Sequence, residues 1–170
     1  GNIYESMLTK GPTTAQIEHI ISSYNEKQEQ NINQFRLFPG IAEALAEIAE
    51  SNKIFIITSN VASIVKAVLD RHGITCVEDI LGAERDKSKA NKITAIRSKY
   101  PQLPAFYVGD TEGDIIEGKL AGSKTLGVAW GWHGAERLSK TMPDHIVNSP
   151  EELAVLISSA PVVSLNCLSN

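Results

Sequence analysis

Apolar positions along this chain follow two rhythms that take turns. Ile17, Ile20, Ile21 and Tyr24 recur at helical spacing behind Thr13 and Gln16, a pair spaced as a capping box, which predicts a helix from about Thr14 toward Phe35. After Phe38-Pro39-Gly40, the residues Ile41, Leu45 and Ile48 mark one face of a second helix over IAEALAEIAE. The run Ile54 to Ile57 shows no alternation, the pattern of a strand covered on both faces of a parallel sheet. Ile64, Val65, Val68 and Leu69 then predict a helix from about Val61 to His72 that stops at Gly73. Ile80-Leu81 reads as a weak strand, and KSKANKITAIRSKY as a helix that buries Ile93, Ile96 and Tyr100. Ala105 to Val108 is the next strand. Asp114 is placed to cap a helix over DIIEGKLAG that ends at Gly122, after which TLGVAW and His145 to Val147 read as strands. Ser149, Pro150 and Glu152 give a helix-start signature before ELAVLISS.

Strands that alternate with helices in this way imply an α/β fold, a doubly wound parallel sheet. The chain has 170 residues, 42% apolar and 21% charged, which suits one compact domain with a core of its own and argues against disorder. A net charge of −4 argues against a broad basic surface for nucleic acid or acidic membranes. The two cysteines, Cys76 and Cys167, are far apart and belong to no CxxC or Cys/His cluster, so neither a disulfide framework nor a zinc site is expected, and the expected compartment is a reducing cytoplasm. No apolar run reaches the roughly 20 residues of a membrane span.

In an open parallel sheet, ligands bind beyond the carboxyl ends of the strands. Thr58, Ser59 and Asn60 follow the first strand, where the next helix offers N–H groups and a positive dipole end to a phosphate. Asp110 and Asp114 stand four apart across a glycine-flanked turn, a spacing that lets two carboxylates converge on one magnesium ion. The same spacing also suits a turn-forming Asp110 and a capping Asp114. Between these segments lie Lys87, Lys89 and Lys92; a lysine neutralises charge on a phosphoryl group, yet lysines on a helix are more often solvated surface. Trp130, Trp132 and His133 follow a strand end, where they line the mouth of a site or close the edge of the core. His19, His72 and His145 have no metal-like spacing.

Taken in order, strand-TSN, a lysine and strand-GDTEGD resemble three successive motifs of the haloacid dehalogenase superfamily, above all its phosphoglycolate phosphatase-like branch. LFPG, TLGVAWGWHG and PDHIVNSPEEL are similar to that branch as well, so the resemblance runs from about Phe38 to Leu156. It implies a partial helical cap over 1–37, an α/β core over 38–160 and a tail over 161–170. It also implies Thr58 as a phosphoryl-binding hydroxyl, helped by the backbone of Ser59 and Asn60, and Lys87 as the charge-neutralising lysine. Asp110 and Asp114 become ligands of magnesium, and the substrate a small phosphorylated metabolite such as phosphoglycolate.

One part of the pattern is missing. Members of the family open with a strand ending in Asp-x-Asp-Gly-Thr, whose first Asp forms an aspartyl-phosphate, and no Asp-x-Asp occurs anywhere in this sequence. In the resembling fold that strand lies between Ile54–Ile57 and Ala105–Val108. Strands are about 4.8 Å apart, so its omission predicts a gap of roughly 10 Å between two unpaired edges, to be filled by an upstream strand or by the tail Pro161 to Leu168. The expectation is a magnesium-dependent phosphatase that is inactive as the chain stands. The alternatives are a non-catalytic phosphate-binding module and metal-free carbon–halogen hydrolysis, which the Asp110/Asp114 pair disfavours.

Overall fold

The computed structural model describes residues 13–159, and the tail proposed as a gap-filler lies outside them. Its elements are α1 (Thr14–Gln30), a 3-10 turn (Ile32–Gln34), α2 (Ile41–Ala49), β1 (Ile54–Ile57), α3 (Ala62–Arg71), β2 (Val77–Leu81), α4 (Lys89–Lys99), β3 (Phe106–Gly109), α5 (Glu112–Leu120), β4 (Lys124–Val128), α6 (Gly134–Ser139), β5 (His145–Val147) and α7 (Pro150–Ser158). Every strand pair is parallel. This is the expected α/β architecture, with helices on both faces. On one face Leu126, Val128 and Val147 pack with Ala44 and Ile48 of α2 and Leu153, Ala154 and Ile157 of α7. On the other, Gly118 of α5 lies so close that a Cβ there would stand 2.9 Å from Thr125 of β4 and from Tyr107 of β3.

Two local expectations need correction. The first helix ends at Gln30 rather than near Phe35, because Asn31 leaves helical geometry and its Nδ2 donates to Lys27 O at 2.8 Å. The lysine-rich helix starts at Lys89: Ser88 is its N-cap, accepting from Asn91 N at 3.2 Å, and Asp86 Oδ1 accepts from Ser88 N at 2.7 Å. The Thr13/Gln16 capping box and the Ser149 cap form as the sequence implies.

The sheet is split. Strand order runs β2-β1 in one piece and β3-β4-β5 in the other, and β1 and β3 make no ladder with each other. Between them lies a cavity of about 750 Å³ bounded by all four residues of β1, by Ala105 to Val108, and by Ile41, Leu45 and Ile48 of α2. The expected gap is therefore present, and it explains why Ile54 to Ile57, predicted to be covered on both sides, are only half-buried.

Candidate functional site

The tip of β1 is held by backbone bonds. Thr58 N donates to Leu81 O at 3.1 Å, extending the β1–β2 ladder by one residue, and Ala83 N donates to Asn60 O at 2.9 Å. Asn60 N donates to Thr58 Oγ1 at 3.0 Å, so the hydroxyl oxygen is fixed as an acceptor while its proton stays available for an anion. Of the backbone groups expected to help, the Asn60 N–H is thus turned inward, and Ser59 is exposed. The N-terminus of α3, the expected cradle, already faces a carboxylate, since Ala62 N donates to Glu84 Oε1 at 3.3 Å.

At the tip of β3 the chain turns through Asp110 into α5. Asp114 is not the cap of this helix but its N3 residue: Thr111 is the N-cap, and the two form a capping box in which Thr111 Oγ1 donates to Asp114 Oδ2 at 2.8 Å. Gly109 is required here, because a Cβ would lie 2.3 Å from Asp114 Cβ. Asp110 Oδ2 accepts from Trp132 N at 2.9 Å, and Asp110 O accepts from His133 N at 3.1 Å. The loop after β4 comes this near because residue 131 is glycine; a Cβ there would stand 2.2 Å from Asp110 Cβ. The three loop residues singled out in the sequence separate: Trp130 packs against the core, His133 Nδ1 accepts from Glu112 N at 2.9 Å, and Trp132 is 84% exposed.

One turn of α4 joins the two tips. Lys89 and Lys92, three apart and so on one helix face, reach opposite ways. Lys89 Nζ donates to Asp114 Oδ1 at 2.6 Å, while Lys92 Nζ donates to Thr58 O at 2.7 Å and Gly82 O at 3.2 Å. Lys89 thus meets Asp114, and Lys87 is exposed in the preceding loop. Counting residues to Asp110 favoured Lys87; the Ser88 cap makes Lys89 the first helical residue, and Lys89 reaches Asp114. Glu117, one turn beyond Asp114, also belongs to the cluster, its carboxyl responding to the charges of Lys89 and Asp114; no sequence signal marked it.

The electrostatics follow from burial and from Lys89. Burial alone would raise the Asp114 carboxyl, but the Lys89 charge and the bonds from Lys89 and Thr111 outweigh it and hold Asp114 below the usual carboxylate range. Glu117 is pushed up, first by burial and then by Asp114. Burial pushes the Tyr107 hydroxyl up, reinforced by Asp114, Glu117 and Asp110. Burial pulls Lys92 down. Asp110 and Asp114 are hard oxygen donors of the kind magnesium takes, one or two at a time, with water and phosphate completing the shell. Among the described residues no group of three acidic, histidine or cysteine side chains could hold a metal unaided. The pair fits magnesium as a partial ligand set.

Residues 2–128 match the model of the haloacid dehalogenase-like hydrolases. The chain belongs to that family. It is 27% identical over 122 residues to phosphoglycolate phosphatase of Synechococcus elongatus, covering 69% of this chain and 58% of the relative. It is 29% identical over 139 residues to the probable phosphatase IndB of Dickeya dadantii, covering 74% of this chain and 60% of that one. The chain thus spans less than two thirds of the length of these relatives. In fold it resembles a predicted phosphatase of Clostridium acetobutylicum (TM-score 0.81, 20% identity, covering 92% of this chain and 77% of that one). It also resembles a haloacid dehalogenase-like hydrolase of Streptococcus pneumoniae (TM-score 0.76, 24% identity, 90% and 75%). No described helix is long and apolar enough to cross a membrane.

Proposed function

We propose that this chain carries the phosphate- and magnesium-binding part of a phosphatase for small phosphorylated metabolites, with the nucleophile supplied by a strand seated in the groove between β1 and β3. The observation that carries the reading is the first turn of α4, which ties Thr58 on one side and Asp114 on the other to adjacent lysines. A strand parallel to β1 and β3 in that groove ends between Thr58 and Asp110, where an aspartate at its tip meets both.

In this reading the Thr58 hydroxyl donates to a phosphoryl oxygen, with the Ser59 N–H beside it. Lys89 takes the charge-neutralising role that the resemblance gave to Lys87, balancing the carboxylates and the phosphoryl oxygens. Asp110 and Asp114 hold magnesium, Asp110 by direct ligation and Asp114 as a ligand or through its water, since Thr111 and Lys89 already engage both Asp114 oxygens. When bound, magnesium supplies charge stabilisation for in-line attack at phosphorus. Lys92 and the Thr111 cap fix the two tips.

The test is hydrolysis of an aryl phosphate by the chain alone and by a version extended upstream with an apolar strand ending in Asp-x-Asp-Gly-Thr. The extended protein turns over only with magnesium, Asp110→Asn in it loses at least about a hundredfold in kcat, and the chain alone is inert. Magnesium-independent turnover, or an Asp110→Asn variant of unchanged rate, contradicts the proposal.

A further inference from the structure

Three residues of the loop between β4 and α6 converge on Asp110. Trp132 N donates to Asp110 Oδ2 at 2.9 Å, His133 N donates to Asp110 O at 3.1 Å, and a Cβ on Gly131 would stand 2.2 Å from Asp110 Cβ. Rotation about the last bond of an aspartate is soft, so one fixed N–H on Oδ2 selects which carboxylate oxygen is left over. Among the described residues no donor reaches Asp110 Oδ1, and that oxygen is the one available to a cation.

What holds the loop in this place is itself polar. His133 Nδ1 accepts from Glu112 N at 2.9 Å, and the imidazole is 12% exposed. Glu112 is the first residue of α5, so its N–H is one of the donors that a helix leaves without an internal partner. Just past the loop, Arg137 of α6 donates from Nε to Glu112 Oε2 at 2.7 Å. Glu112 thus grips the loop twice, through its backbone and through its carboxylate. An apolar residue at position 133 would fill the space but strand the Glu112 N–H and free the loop to lift from Asp110.

We infer that His133 is a positioning residue for the metal site. By accepting the Glu112 N–H it keeps the Trp132 N–H on Asp110 Oδ2, and so keeps Oδ1 for magnesium, with Arg137 as the outer anchor of the loop. The inference rests on the metal site proposed above and deepens it. His133 touches no reacting atom and acts through Asp110. Groups that orient a metal ligand in this way change affinity by about 10–100-fold when removed.

Titration of this chain with magnesium at a fixed concentration of inorganic phosphate, followed by the Asp110 amide resonance, tests it without requiring turnover. His133→Leu keeps bulk and removes the acceptor; it should weaken magnesium at least about tenfold. His133→Asn places an acceptor oxygen where Nδ1 stood and should stay within about threefold of wild type. In the metal-free chain, amide exchange of Trp132 should quicken about fivefold in His133→Leu and stay at the wild-type rate in His133→Asn. Arg137→Met, at a side chain 54% exposed, carries little risk to the fold and should weaken magnesium about threefold, which decides the matter if His133→Leu does not fold. A purely structural histidine would lower urea stability in its variants and leave magnesium affinity as it was. Unchanged affinity in either His133→Leu or Arg137→Met, unchanged exchange at Trp132, or a loss in His133→Asn as large as in His133→Leu overturns the inference while sparing the metal site. If wild type binds no magnesium, the metal site itself is wrong and the role of His133 falls with it.

Discussion

Lys89 and Asp114 make a largely buried ion pair at the proposed site. Their side chains are 21% and 6% exposed, whereas Lys66 and Asp70, paired along α3, are 65% and 57% exposed. Surface pairs of the second kind contribute little, but removing one partner of a buried pair strands a charge. Lys89→Met is therefore expected to lower unfolding stability by roughly 2–4 kcal/mol at neutral pH, measured in urea. Because the folded pKa of Asp114 is depressed, its ionised form contributes stability that is present above the unfolded value and lost as pH falls through the folded one. The gap between wild type and Lys89→Met should thus be widest above about pH 4 and shrink below it; a gap independent of pH would exclude this pairing as its cause. Gly131→Ala, which drives a methyl into Asp110, should cost about 1–3 kcal/mol and displace the Asp110 carboxylate. At this scale the position of the two aspartates just beyond a strand was legible, although Asp114 proved to be the N3 residue of its helix and not the cap. The contact of Lys89 with Asp114 was not, because spacing counts residues whereas the Ser88 cap sets where the helix begins.

Among the elements, α4 carries most of the positioning. Lys92 is 2% exposed and its ammonium is spent on the carbonyls of Thr58 and Gly82, one beyond each strand of the β1–β2 pair. Lys92→Met fills the same space and leaves two carbonyls short of a donor, so about 1–3 kcal/mol of stability should be lost, with the β1 tip loosened. Amide exchange of Thr58 to Asn60 reads that loosening directly; unchanged protection there would make Lys92 a mere filler. Helical periodicity exposed α2, α3 and α7 because each sets a regular apolar face against the core. It did not expose α6, whose six residues make under two turns and bury Leu138 alone. Nor could it fix the end of α1, where the Asn31 side chain, not an apolar position, breaks the helix.

For the whole molecule, the split sheet is the governing feature. The alternation of strands and helices gave the fold class, and the missing Asp-x-Asp strand gave the place of the gap; what no pattern along the chain could give was how the remaining strands arrange around it. They keep their places, β1 with β2 and β3 with β4, because each half retains a parallel neighbour and a covering helix. The apolar walls of the groove predict that an upstream apolar strand raises the thermal midpoint by at least about 5 °C, and that proline in the middle of that strand, unable to donate to a ladder, cancels the gain.

As proposed, the tips of β1 and β3 form one anion and metal site bridged by α4. It is tested most directly by following the amide resonances of this chain while magnesium and inorganic phosphate are added together. Ser59, Lys89 and Asp110 are expected to shift along a common saturation curve. Shifts confined to one tip, or two tips that saturate at unrelated concentrations, would contradict it.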